Sequence, residues 1–238
     1  PPSDWHFTVR PLMDHSERYP KHRSIRRVVL DPGHGGHDPG AVNSKWSLQE
    51  KDLALAVAQR LKRLLETRDV KVELTREDDR YVQLEERCRI SSRLRADLFI
   101  SIHFNAATNP NARGIETFAH TLVHHPSTGR LELEPMDRRF EAANRNDREN
   151  IQLAYALQSQ LLGATRALDR GVKRARFAVL RDQDCPSALV ELGFLSHEET
   201  AKTLTSSEHL DLLARALASG IIRYTSPSEP LITSSHSQ

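Results

Sequence analysis

Four side chains in this sequence are candidates to carry chemistry: His34, His103, Glu50 and Glu191. His34 follows a short apolar run, Val28-Val29-Leu30, in the stretch VVLDPGHGGHDPGAV. The ten residues from Asp31 hold four glycines, two prolines and two histidines. A loop that rich in glycine brings backbone close to a neighbour and adopts positive φ, so a side chain can be aimed from it. The bland reading is a glycine turn with an incidental histidine. His103 closes a second apolar run, Leu98 to Ile102, and shares a strand face with Asn105. Polar groups ending a central strand need partners, because unpartnered burial is costly. Metal ligation would supply one, and two histidines plus a carboxylate form the ligand set of a catalytic zinc with one position left for water.

Two carboxylates compete for the third place. Glu50 ends Ser47-Leu48-Gln49-Glu50, which matches a helix capping box, and a helix start favours a carboxylate for backbone reasons alone. Ligand and cap therefore both remain open for Glu50. Glu191 interrupts the apolar run Leu189-Val190-Glu191-Leu192-Gly193-Phe194. A carboxylate desolvated there must be paired, protonated or set beside a cation, and that is a mark of function.

The frame that must position these residues alternates strands with helices. Strands are predicted at Arg27–Leu30, Val70–Thr75, Asp97–His103, Gly114–Ala119, Phe177–Leu180 and Ala188–Leu192. A helix from Ser47 buries Leu53, Val57, Leu61, Leu64 and Leu65 at helical spacing. Further helices are predicted over Val82–Arg95, Ile151–Leu168, His197–Leu204 and Glu208–Ile222. The pattern predicts a single α/β domain, a twisted, largely parallel or mixed sheet with helices on both faces. Both histidines then sit at strand ends, where open α/β sheets gather ligands. Residues 1–25 read as an N-terminal extension or linker, 26–225 as the catalytic domain, and 226–238 as a disordered Ser/Pro-rich tail. Residues 121–149 lose all periodicity and form an insertion.

Composition narrows the classes. At 238 residues with 28% charged side chains and a net charge of +2, the chain builds a full core and interleaves its charges. That pattern carries no nucleic-acid footprint, and no apolar run is long enough to span a membrane. Cys88 and Cys185 form no CxxC and read as two ordinary buried thiols rather than a disulfide.

The motifs DPGHGGHDPGA, Glu50, TREDDRYVQLEER, ADLFISIHFNA and ALVELGFLSH, in that order, resemble the zinc-dependent N-acetylmuramoyl-L-alanine amidases, the cell-wall amidases that cut peptide from glycan. The resemblance spans about Val28 to Ile222. It implies one Zn²⁺ held by His34, Glu50 and His103, and Glu191 as the catalytic glutamate. It turns the reading of Glu50 from cap to ligand. The implied reaction is hydrolysis of the amide joining the lactyl group of N-acetylmuramic acid to L-alanine, with Asn105 in a substrate-binding role. Peptidoglycan is then the substrate, with room for a protein activator and no nucleic-acid partner. The expected location is periplasmic or extracellular, with the export signal absent from this sequence.

Ser91-Ser92 and His197 depart from common family residues without touching an implied ligand. His37 occupies a position the family leaves open, which suits a loop or substrate contact, and His120, His124 and His125 read as surface residues. Some division-associated members insert a zinc-covering helix near residues 121–149, with Glu141 the nearest equivalent of its glutamate. The alternative there is a solvated loop. Two other functions compete with the amidase reading: a related zinc peptidase or amidase acting on another amide, and a non-catalytic wall-binding module.

Overall fold

The computed structural model describes residues 25–225, so the readings for 1–24 and 226–238 lie outside the described residues. Chain order runs β1 (Arg27–Pro32), β2 (Val42–Asn43), β3 (Leu48–Gln49), α1 (Glu50–Glu66), β4 (Lys71–Leu74), α2 (Leu84–Leu94), β5 (Leu98–Asn105) and β6 (Ile115–His120). It continues through α3 (Asp147–Thr165), β7 (Asp169–Ala175), α4 (Ala178–Arg181), β8 (Ser187–Phe194), α5 (Glu198–Leu204) and α6 (Ser207–Thr225). The main sheet has six strands in the order β4-β1-β5-β8-β6-β7, while β2 and β3 form a small antiparallel pair. Every neighbouring pair in the main sheet is parallel except β6 with β8.

Strand alternation divides the core between the two faces. Val28 and Leu30 belong to the larger cluster, with Leu61 of α1, Leu157 of α3 and Leu217 of α6. Val29, Phe99 and Leu189 point the other way and join Val179 and Leu180 of α4. The sheet is therefore covered on both sides, as the alternation of elements predicts.

Two elements differ from the sequence reading. The strand expected at Phe177–Leu180 is the short helix α4, and the edge strand is β7, just upstream. Its sequence, DRGVKRA, has no apolar alternation because an edge strand buries little on either face. The helix expected from Ser47 begins instead at Glu50. Ser47 adopts the left-handed conformation that closes a 3₁₀ turn over Ser44–Trp46.

The 121–149 insertion contains two 3₁₀ turns, Pro135–Arg138 and Ala142–Asn146. Because β6 runs antiparallel to β8, its last residue lies beside the start of β8, and the insertion leaves from that end of the sheet. Asn146 donates to the Asp184 carbonyl and Asn150 accepts from Ser187 N, both at the entry to β8. Asp137 holds the segment down through Arg176 Nε at 2.6 Å and Arg130 Nη2 at 2.9 Å. His120, expected at the surface, is 1% exposed, because the insertion folds back and sets Glu141 Oε2 2.7 Å from its Nε2. His124 and His125 are exposed as expected.

Candidate active site

The three parallel strands β1, β5 and β8 end together, and the candidate residues collect at those ends. β1 stops at Asp31-Pro32, and Gly33 N still donates to the Ile102 carbonyl of β5 at 3.0 Å. The chain then turns through His34, which takes a left-handed φ of 58°. A non-glycine residue in that region is uncommon and persists where its surroundings fix it. Two glycines allow the crowding around it. A Cβ on Gly33 would run into the His103 ring, and one on Gly40 would lie 2.5 Å from Glu50 Oε2.

Two buried arginines hold this loop from beneath. Arg76 donates to the carbonyls of Pro32, Gly33, Lys51 and Asp78. Arg87 donates to the carbonyls of Pro32, His34 and Val82, and to Asp31 at 2.8 Å. Asp31 also accepts from Thr75 and Ser101. Burial opposes ionisation of Asp31, but the Arg87 charge and these hydrogen bonds hold its carboxyl below the usual range. Neither arginine stands out in the sequence, although both lie in the TREDDRYVQLEER motif.

His34, Glu50 and His103 converge, with one ligand atom from each lying within 4.8 Å of the others. Glu50 Oε1 sits 3.1 Å from His34 Nε2 and 2.8 Å from His103 Nδ1, and it accepts from Phe104 N at 3.0 Å. Its Oε2 accepts from Ala41 N at 2.8 Å. Glu50 is the first residue of α1 and spends none of these contacts on capping its own helix. Burial raises the proton affinity of Glu50, yet the hydrogen bonds and charges of His103 and His34 overcome it and keep the carboxyl ionised. His34 Nδ1 lies 2.7 Å from Asp38 Oδ2. With the Nδ1 proton given to Asp38, Nε2 presents its lone pair to the cluster, the arrangement that fixes a metal-binding tautomer. Burial lowers the His34 proton affinity, and Glu50 and Asp38 together raise it above the ordinary value.

Glu191 is the partner of His103 across β5–β8 and of Glu116 across β8–β6. The residue as a whole is half-buried, but its Oε2 is fully buried and has no hydrogen-bond partner among the described residues. Burial first, then the charges of Glu50 and Glu116, push its carboxyl well above the usual range. Asn105 turns toward Glu116, donating to Oε1 at 3.0 Å, while its own oxygen accepts from Ala106 N. His37 stands apart from the cluster, exposed and packed against Tyr81 at 4.3 Å between ring centroids. His197 caps α5 by accepting from Thr200 N. Cys88 and Cys185 are free and buried, with burial pushing their thiols up to about 12 and about 11. Among the described residues no helix is long and apolar enough to cross a membrane.

Residues 28–223 match the family model described as N-acetylmuramoyl-L-alanine amidase. Over 221 residues the chain is 35% identical to the N-acetylmuramoyl-L-alanine amidase AmiC of Neisseria meningitidis serogroup B, covering 84% of this chain and 53% of that protein. It thus spans about half the length of that relative. It is 32% identical to AmiA of Salmonella typhimurium, covering 91% of this chain and 82% of AmiA. The CwlD amidase of Clostridioides difficile, solved in complex with the GerS lipoprotein, superposes with a TM-score of 0.71 at 30% identity, covering 85% of this chain and all of that one.

Proposed function

The chain belongs to the N-acetylmuramoyl-L-alanine amidase family, and from that premise we propose that it hydrolyses the amide between N-acetylmuramic acid and L-alanine in peptidoglycan, using zinc held by His34, Glu50 and His103. The observation that carries the proposal is the single Glu50 oxygen within 3.1 Å of both imidazoles. Two nitrogens and one carboxylate are the donor set of a catalytic zinc site, and Asp38 supports His34 from behind. When bound, zinc acidifies a water toward a pKa of ~7 and polarises the scissile carbonyl.

Glu191 supplies the proton chemistry. Its free Oε2 and raised proton affinity suit it to take a proton from the attacking water and pass it to the leaving amine. Asn105, tied to Glu116 and Ala106, keeps one N–H and one lone pair for a substrate amide. A wall substrate calls for a protein exported to the cell envelope. CwlD was solved with a lipoprotein bound, and a protein partner is expected here as well.

Mass spectrometry of the products from purified peptidoglycan tests the reaction. Free stem peptides with an unmodified N-terminal alanine are expected, and cleavage at any other bond would overturn the assignment. His34→Ala and His103→Ala are expected to lose bound zinc by elemental analysis, and retention of stoichiometric metal would remove them from the ligand set.

A further inference from the structure

The sheet carries a second polar group on the far side of Glu191. Glu116, 3% exposed, accepts from two cations of the edge strand β7 through the same oxygen: Arg170 Nε at 2.7 Å and Lys173 Nζ at 2.5 Å. One carboxylate against two cations leaves one positive charge over. Arg170 is further fixed with its guanidinium carbon 4.8 Å from the centroid of the Phe194 ring. It uses only Nε in these contacts, and its two terminal nitrogens make no hydrogen bond among the described residues. The Arg170 side chain is 32% exposed, and it lies against Glu116, the strand neighbour of Glu191.

We propose that Arg170, supported by Lys173 and positioned by Glu116, receives a free carboxylate on the peptide portion of the substrate, a reading that rests on the amidase function above. The terminal nitrogens of a guanidinium match a carboxylate in two parallel hydrogen bonds, and a fork already fixed by Glu116 and Phe194 loses little freedom on binding. Position agrees with chemistry. β7 lies two strands from β8, about 10 Å at ordinary strand spacing. An extended peptide advances ~3.3–3.6 Å per residue, so the carboxylate belongs to the second or third residue from the cleaved amide. The peptide then runs from Glu191 across β6 toward β7, and the glycan lies on the side of the His34 loop. A purely structural role, in which the two cations only neutralise Glu116, is the competing account.

Matched synthetic muropeptides, carrying that carboxylate either free or as its primary amide, separate the two. The zinc-loaded protein is expected to prefer the free acid in kcat/KM by about tenfold, the scale of a partly exposed charge-assisted pair, expressed mainly in KM. Arg170→Gln is expected to bring that ratio close to one, and Arg170→Lys, which keeps the charge without the fork, to an intermediate value. Cleavage of both substrates with equal efficiency by the unaltered protein overturns the proposal alone. So does a variant that slows both substrates equally and keeps the ratio. Should Arg170→Gln fail to fold, the ratio in Lys173→Met decides by the same criterion. No cleavage of either substrate at the muramyl amide refutes the amidase reading and this inference with it.

Discussion

Replacing Glu191 by glutamine keeps the shape of the side chain and removes its ionisation, so it separates what the residue does for chemistry from what it costs the fold. Loss of a positioned general base lowers turnover by ~10²–10⁴-fold. Stability should move the other way. Glu191 carries a buried, unpartnered Oε2, and two further carboxylates, Glu50 and Glu116, act on it. An unpaired buried acceptor costs ~1–3 kcal/mol, more when charged. Glutamine removes the charge but leaves polar atoms in place, so the gain belongs at the low end, about 1 kcal/mol near neutral pH. For a domain of this size that is a rise of ~2–4 °C in Tm.

The sign with pH follows from the raised proton affinity of Glu191 in the fold. Between the ordinary glutamate pKa and the higher native one, the native state holds a proton that the unfolded chain has released. Stability therefore falls as pH rises through that window, and it is fully present below it. Glu191→Gln lacks this slope, so its advantage should vanish in acid and grow toward neutrality. Urea unfolding of chelator-treated protein across the acid-to-neutral range, beside peptidoglycan hydrolysis by the zinc-loaded form, measures both effects. A variant less stable than the parent at neutral pH refutes the desolvation argument. Near-normal turnover removes Glu191 from catalysis.

Three other perturbations test the support around the site. Asp38→Ala frees His34 Nδ1 and is expected to weaken zinc binding ~10–100-fold in competition with a chromogenic chelator; unchanged affinity would mean that Asp38 does not orient the ring. Arg87→Met leaves Asp31 charged and unpaired in the interior, so a loss of ~3–5 kcal/mol in denaturant unfolding is expected, and a loss below about 1 kcal/mol would contradict the role given to that pair. Gly40→Ala pushes a methyl toward Glu50 Oε2 at a φ of +64°, and its zinc content should fall even if the fold survives; full metal occupancy would show that the loop can yield there.

What the sequence reveals follows the strength of its local signals. The strands that lead into His34 and carry His103 and Glu191 are apolar runs whose polar residues stand out, so fold class and candidate residues are legible together. Glu50 is ambiguous because a carboxylate at a helix start has a backbone reason to be there. Its actual contacts, to Ala41 N, Phe104 N and two imidazoles, come from residues 9 to 54 positions away, beyond any local pattern. Edge strand β7 escapes a reading by periodicity because its side chains obey no apolar period. His120 reads as a surface residue because its burial depends on an insertion that folds back over it.

The reversal of β6, and with it of β7, relative to the other four strands explains how site and insertion stay apart. β6 runs against β8, so its first residues, including Glu116, lie at the end of the sheet that holds Glu191. Its last residue, His120, lies at the opposite end, where the insertion begins and is anchored by Asp137 and Glu141 to Arg176 of the β7–α4 connection. Glu141 is consequently committed to His120 and Arg176, at the other end of the sheet from His34, Glu50 and His103. A lid reaching the candidate metal cluster from this segment would have to break those ion pairs and cross the length of β6. Had β6 run parallel to β8, the same insertion would emerge beside the cluster, and the strand's start could not place Glu116 between Glu191 and Arg170. Strand direction, rather than the composition of the insertion, keeps the insertion away from the candidate cluster.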